Sequence, residues 1–219
     1  MRFSAIATSA LLYAFASTSL AKNVVVKNNC GQTVSVASNQ QGPSALGPGQ
    51  SKTYSLPDNW SGRFWGRENC GSYGCPPESA ANPASLAEFT FGGYGGNDFY
   101  DVSFVDGWNL PISVSPIGGQ GDGSKYRCGS PTCNPLPGCP SGFAVYSNGA
   151  YVGCQSACSH FNAPQYCCTG ANNTPQTCSP SQYSQQVKSA CPDVYSYAFD
   201  DKTSTYTCNA QGYTITFCP

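Results

Sequence analysis

Charge is scarce in this chain: only 10% of its 219 residues are Asp, Glu, Lys or Arg, and it has one histidine. With 10 Lys and Arg against 11 Asp and Glu there is no basic excess to neutralise phosphates, which excludes nucleic acid as a partner. A Ser-His-Asp or Cys-His site is possible only around His160, whose setting in CSHFNAPQYCC points to a structural or exposed role. The cysteines lack a paired CxxC arrangement, so no metal site is expected, and no cofactor motif is present. After Ala21 no apolar run approaches the roughly 20 residues of a membrane helix, so no transmembrane segment is expected. Internal repeats and long linkers are also missing.

What the chain does have is 14 cysteines, all following a leader-like segment. Arg2 gives residues 1–21 a basic start, Leu11, Leu12, Tyr13, Ala14 and Phe15 an apolar centre, and Ser19-Leu20-Ala21 a small-x-small cleavage site. The mature chain is then expected to begin at Lys22 and to be secreted, extracellular or in the cell wall, where an even number of cysteines forms bridges rather than metal ligands.

Abundant Gly, Pro, Ser and Thr favour short strands and ordered loops over helices. Residues 22–27 (KNVVVK) and 33–36 (TVSV), separated by Asn28-Asn29-Cys30-Gly31, predict an N-terminal hairpin. Further strands are expected at 51–56, 62–67, 86–91, 99–105, 112–115 and 213–217, a spacing that indicates a mainly β, antiparallel sandwich or barrel. Nine cysteines fall in 128–191 among Pro, Gly, Asn and Ser, predicting a loop-rich lobe held by bridges rather than by its own core. One helix is predicted over 179–190, with Ser179 as N-cap, Pro180 at the first helical position and Gln182 three after the cap.

Strand parity locates the chemistry. If 86–91 and 99–105 form a hairpin about the loop 92–97, Glu88 stands directly opposite Asp101, roughly 4.5–5.5 Å apart at Cβ. Glu88 and Thr90 then share a polar face with Asp101 and Ser103, while Phe89, Phe91, Tyr100, Val102 and Phe104 share the core face. Two like charges across a hairpin are destabilising, so a fold that keeps them uses them or neutralises one with a cation such as Arg63. A paired Glu and Asp is what glycoside hydrolysis requires, one carboxyl protonating the leaving oxygen and the other attacking the sugar or activating water. Glu88 is assigned here as the acid and Asp101 as its partner. Parity puts Asp106 on the other face, so it joins them only if the strand ends or bulges near Val105-Asp106-Gly107. Tyr73, Tyr94, Phe99 and Trp108 are candidate sugar-stacking residues. Asn59-Trp60-Ser61 and Asn172-Asn173-Thr174 are glycosylation sequons, with Asn59 and Asn172 as acceptors.

Six ordered segments carry a family resemblance: GRFWGREN (62–69), LAEFTF (86–91), DFYDVSFVDGWNLPISVSP (98–116), QYCC (165–168), CPDVYSYAFDD (191–201) and the C-terminal YTITFCP. Together the chain resembles the thaumatin-like proteins, the osmotin-type, pathogenesis-related group 5. The resemblance implies a β-sandwich at about 22–69, 84–134 and 192–219, a disulfide-rich lobe at about 135–191, and a cleft between sandwich and lobe. Such proteins usually carry 16 cysteines; here the small lobe at about 70–83 is trimmed and one bridge is missing. The implied pairs are Cys30 with Cys218, Cys70 with Cys75, Cys128 with Cys208, Cys133 with Cys191, Cys139 with Cys154, Cys158 with Cys167, and Cys168 with Cys178. An acidic cleft of Arg63, Glu88, Asp101, Asp106 and Asp201 is implied, together with a monomer that binds β-1,3-glucan or another cell-wall polysaccharide, with endo-β-1,3-glucanase activity and binding without turnover both left open. The rival reading is a non-enzymatic antifungal or interaction protein, acting on membranes or inhibiting a secreted enzyme.

Overall fold

The computed structural model describes residues 21–68 and 83–219. The leader-like segment before Ala21, Tyr73, and the Cys70 and Cys75 pair lie outside them. In chain order the strands are β1 (Lys22–Asn28), β2 (Val34–Ser38), β3 (Ser44–Leu46), β4 (Ser51–Leu56), β5 (Ser61–Arg67), β6 (Leu86–Thr90), β7 (Asp98–Ser103), β8 (Ile112–Ile117), β9 (Thr132–Cys133), β10 (Ala144–Ser147), β11 (Ala150–Cys154), β12 (Tyr206–Cys208) and β13 (Gly212–Phe217). Helices are short: α1 (Ala157–Phe161), α2 (Pro164–Cys167), α3 (Gln182–Ala190) and α4 (Asp201–Ser204).

Two sheets form the body, one ordered β4-β1-β13-β8-β9 and the other β12-β7-β6-β5-β2-β3, while β10 and β11 pair alone. Alternate residues of each large sheet point inward: Val24 and Val26 of β1 and Tyr213, Ile215 and Phe217 of β13 meet Phe64, Phe89, Tyr100 and Val102 of the second sheet in one buried cluster. Rings cross between the layers, with Tyr213 4.9 Å from Tyr100 and 5.2 Å from Phe89 between centroids. Aromatic pairs at such distances add about 0.5–1.5 kcal/mol each beyond their burial. With its inner face committed to this core, the second sheet turns its other face outward.

The expected N-terminal hairpin does not form. β1 lies in the first sheet, antiparallel to β4 and parallel to β13, whereas β2 lies in the second beside β5 and β3. The fully buried Asn28 explains the difference: its amide donates to the carbonyls of Gln32 and Leu46, and its Oδ1 accepts from Cys30 N–H. The Asn28-Asn29-Cys30-Gly31 stretch is therefore a corner carrying the chain from one sheet to the other, and the Cys30 to Cys218 bridge pins it.

The helix forecast is corrected in two ways. α3 is capped by Ser181, whose hydroxyl accepts from Ser184 N–H at 3.2 Å, so Ser179 and Pro180 precede the helix. Starting there places Ser184 and Val187, three apart, on its buried side. Nor is it the single helix, since α1, α2 and α4 are single turns too short to leave a period in the sequence. Bridges join Cys128 to Cys208, Cys133 to Cys191, Cys139 to Cys154, Cys158 to Cys167 and Cys168 to Cys178, most of them within or around the loop-rich lobe.

Candidate functional site

Strand pairing builds the site. Arg63 of β5 is in register with Glu88 of β6, which is in register with Asp101 of β7, so three side chains form a row across adjacent strands on the outer face. Their neighbours in sequence, Phe64, Phe89, Tyr100 and Val102, are buried on the inner face. Period-two alternation thus fixes both the core and the row.

The row crosses the middle of a groove. On one side is a concavity of ≈ 320 Å³ whose lining includes Asn39, Ser61, Thr90 and Phe99. On the other is one of ≈ 260 Å³ whose lining includes Ser103, Val105, Asp106 and Tyr195. Arg63, Glu88 and Asp101 line both.

Asp106 arrives by a turn. β7 ends at Ser103, and Gly107 N–H bonds to Phe104 C=O, reversing the chain at Val105-Asp106. Gly107 has φ +100°, and a Cβ there would clash with Cys154 O, so the turn requires glycine. Asp106 Oδ2 is brought 3.0 Å from Arg63 Nη1, nearer than Glu88 Oε1 at 3.9 Å. All three partners are about one-third exposed, so this cluster positions charge more than it stabilises the fold.

At the far end, the 191–201 segment runs beside β7, with Tyr195 N–H bonded to Val102 C=O and Phe104 N–H to Tyr195 C=O. The Tyr195 hydroxyl donates to Asp201 Oδ1 at 3.0 Å and also meets Thr205 Oγ1. The two aspartates of the FDD sequence have separate roles. Asp200 is buried, accepts from Ser196 and Thr203, and lies 3.2 Å from Lys188 Nζ, which makes it structural. Asp201 is exposed and its charge reaches Asp101. Tyr195 was not singled out from the sequence, although it lies within the 191–201 motif; a lone Tyr there gives no sign that it faces the cleft.

The carboxyls are not equivalent. Burial, then the Glu88 charge, then the Asp201 charge, hold Asp101 well above the usual carboxylate range. Its Oδ1 is buried with no hydrogen-bond partner among the described residues. Burial also raises Glu88, but the Arg63 guanidinium and the Ser103 hydroxyl oppose that rise. In the free cleft the proton is therefore held more firmly by Asp101 than by Glu88.

Other candidates fall elsewhere. Trp108 is a core residue, stacked on Phe104 and donating Nε1–H to Pro137 C=O. Tyr94 is exposed at the β6–β7 turn, and among the described stacking candidates Phe99 alone lines the groove. His160 stacks on Phe143 at 4.0 Å and contacts Gln155, away from every carboxylate of the row. Asn59 is exposed between β4 and β5, while the Asn172 amide donates to Thr177 C=O at 2.7 Å.

The comparisons with known proteins agree with this architecture. The thaumatin family matches residues 28–219. The chain is 48% identical over 195 residues to a pathogenesis-related thaumatin-like protein 3.5 of Cryptomeria japonica, covering 82% of this chain and 79% of that one. Identity is 43% over 221 residues to a pathogenesis-related protein 5 of Arabidopsis thaliana, with 91% of each chain covered. A Prunus avium protein named glucan endo-1,3-beta-glucosidase is 47% identical over 182 residues, covering 74% of this chain and 73% of that one. A family match over nearly the whole length, relatives above 40% identity and a mainly β, disulfide-bridged fold together establish that this chain belongs to the thaumatin family, as a thaumatin-like protein of the pathogenesis-related group 5 type.

Proposed function

We propose that this is a secreted protein that binds linear β-1,3-glucan in the acidic groove and cleaves it internally. The observation that carries the reading is the position of Glu88 and Asp101: a directly opposed carboxyl pair midway along a groove with space on both sides. A pair at the end of a pocket would suit release of terminal sugars, whereas a pair at the middle suits a bond with chain extending both ways. The pair also has the unequal environments that separate an acid from a base. Asp101, more deeply held and keeping its proton, protonates the glycosidic oxygen. Glu88, beside Arg63, is the ionised partner that attacks the sugar or activates water. Similarity to a relative named as a glucan endo-1,3-beta-glucosidase supports the choice of substrate. Secretion is supported by the leader-like sequence at 1–21 and by the density of bridges.

The test is release of reducing ends from linear β-1,3-glucan by the purified full chain, with product lengths followed over time. A rapid fall in polymer length is expected. Glu88→Gln should retain the fold and lower the rate by about 100-fold or more, the usual range for losing a positioned proton-transfer or nucleophilic carboxyl. Turnover by Glu88→Gln at the parent's rate would remove the catalytic assignment. Glucan retention by a parent chain that releases no reducing ends would leave a binding protein in place of an enzyme. Recovery of secreted protein beginning at Lys22 tests the processing.

A further inference from the structure

Between Cys128 and Val187 the chain contains no Asp, Glu, Lys or Arg. This stretch of the disulfide-rich lobe therefore presents amides, hydroxyls and aromatic rings in place of acidic and basic side chains. Within it, β10 and β11 form a two-stranded sheet paired with neither large sheet. They are joined by Asn148-Gly149 with φ of +50° and +80°, the left-handed pair that a two-residue hairpin loop requires. Tyr146 and Tyr151 are directly opposed across this hairpin, next to a register shift at Val145/Tyr146. Their ring centroids are 5.8 Å apart at 71°, and the residues are 64% and 44% exposed. Packed against each other on a tight turn, the rings have less rotamer freedom left to lose when a ligand arrives. The Cys139 to Cys154 bridge anchors the base of the hairpin.

We propose that the β10–β11 hairpin is a second polysaccharide-binding surface, on which Tyr146 and Tyr151 stack neutral sugar rings. The absence of charge selects the occupant. An anionic membrane or a nucleic acid would be met by Lys and Arg, and a charged protein by complementary ions. A neutral glycan has only hydroxyls and apolar ring faces, which tyrosine rings with flanking Ser147 and Asn148 match. The surface is also tied to the groove. Cys154, at the end of β11, exchanges two backbone hydrogen bonds with Trp108, two residues from the groove-lining Asp106. Tyr151 stands three residues back along the strand, roughly 10 Å from that junction. A polymer held on the hairpin is thereby kept near the groove, raising its effective concentration there.

The inference takes its first probe from the glucan reading of the groove, and a second probe separates the two. Retention of the full chain on particulate β-1,3-glucan and on particulate chitin is compared with Tyr146→Ser/Tyr151→Ser, Tyr146→Phe/Tyr151→Phe and Glu88→Gln, with thermal midpoints as the folding control. Binding of a short soluble β-1,3-oligosaccharide reports the groove alone. The double serine variant is expected to bind at least one particulate about tenfold more weakly, the double phenylalanine variant to bind like the parent, and the oligosaccharide to be unaffected. Retention on chitin alone, lost in the serine variant, would uphold the hairpin, whereas a parent that fails to bind the oligosaccharide would overturn the glucan reading of the groove. The proposal is overturned if the parent binds neither particulate, if the serine variant binds both as the parent does, or if it loses the oligosaccharide equally. Loss of binding to neutral phosphatidylcholine vesicles with polysaccharide retention unchanged would also overturn it, assigning the hairpin to lipid.

Discussion

The ammonium of Lys22 meets the fully buried carboxylate of Asp98 at 2.5 Å, linking the first residue of β1 to the first residue of β7. Asp98 Oδ2 also accepts from the Tyr213 hydroxyl at 2.8 Å, and its Oδ1 accepts from Gly92 N–H at 3.1 Å. One buried carboxylate thereby joins both large sheets and the turn that leads into the Glu88/Asp101 hairpin. The lysine that neutralises it is the residue expected to begin the mature chain.

Replacing Lys22 with Met keeps the length of the side chain and removes its charge. Breaking one side of a buried ion pair costs about 3–5 kcal/mol when the other charge is left alone. Tyr213 and Gly92 still donate to Asp98, so a loss of about 2–3 kcal/mol in denaturant unfolding is expected for Lys22→Met, with Lys22→Met/Asp98→Asn recovering part of it. A Lys22→Met protein as stable as the parent would show that the two hydrogen bonds alone satisfy Asp98.

The Cys30 to Cys218 bridge joins residues 188 apart in sequence, closing nearly all of the folded chain into one loop. Chain-entropy arguments give a loop of this length about 5 kcal/mol of stabilisation, the largest among the bridges described. Cys30→Ser/Cys218→Ser is expected to lose most of that in guanidinium unfolding, more than removal of Cys158 and Cys167, which are 9 apart. Equal losses for the two pairs would show that local constraint, not loop length, governs stability here.

The opposed Glu88 and Asp101 were legible in the sequence because alternation leaves little freedom: once Phe89, Tyr100 and Val102 are assigned to the core, the two carboxyls must share the other face. The ends of elements were less legible. Ser179 and Ser181 both precede a helical stretch with a suitable residue three positions on, and only the three-dimensional placement of Val187 selects Ser181. The Asn28-Asn29-Cys30-Gly31 corner has hairpin composition, yet it crosses between sheets because the distant β13 takes the edge of β1 that a hairpin partner would have used. Strands β10 and β11 were missed although Asn148-Gly149 between AVYS and AYVG is a two-residue hairpin signal, because the surrounding Pro, Gly and cysteines read as loop. The unequal protonation of the carboxyl pair depends on burial and on the 3.9 Å approach of Arg63 to Glu88, neither of which is written in local sequence.

Asp101→Asn is expected to stabilise the fold at neutral pH. Asp101 is held well above the usual carboxylate range by burial first and then by Glu88 and Asp201, so its native form favours the proton. Such a group adds stability below its unfolded value, near 3.8, and that stability is lost as pH rises through the folded value. Asparagine has no charge to form in the buried site. Its advantage should therefore be absent in acid below the unfolded value and open progressively as pH rises towards neutrality. Thermal midpoints of both proteins across pH check this; a constant offset at every pH would place the cause in packing rather than in protonation.

Arg63→Met tests the electrostatic division of the pair through the pH dependence of glucan hydrolysis. Burial raises the Glu88 carboxyl and Arg63 opposes the rise, while Asp106 adds to it. Removing the guanidinium takes away the opposing charge and leaves the raising effect of Asp106 uncompensated, so Glu88 rises further. Glu88 must be ionised to act as the base or nucleophile, and activity therefore rises with pH through its titration. The acidic limb of kcat/KM should move to higher pH in Arg63→Met, with the largest loss in acid and a smaller one near neutrality. Arg63→Lys should restore the limb in part, since it keeps the charge without the planar fork. The Arg63 cluster is about one-third exposed, so the fold should be little affected. A uniform fall in rate across pH would instead make Arg63 a substrate-positioning group, and an acidic limb displaced to lower pH would show that Glu88 is not the group whose ionisation activity requires.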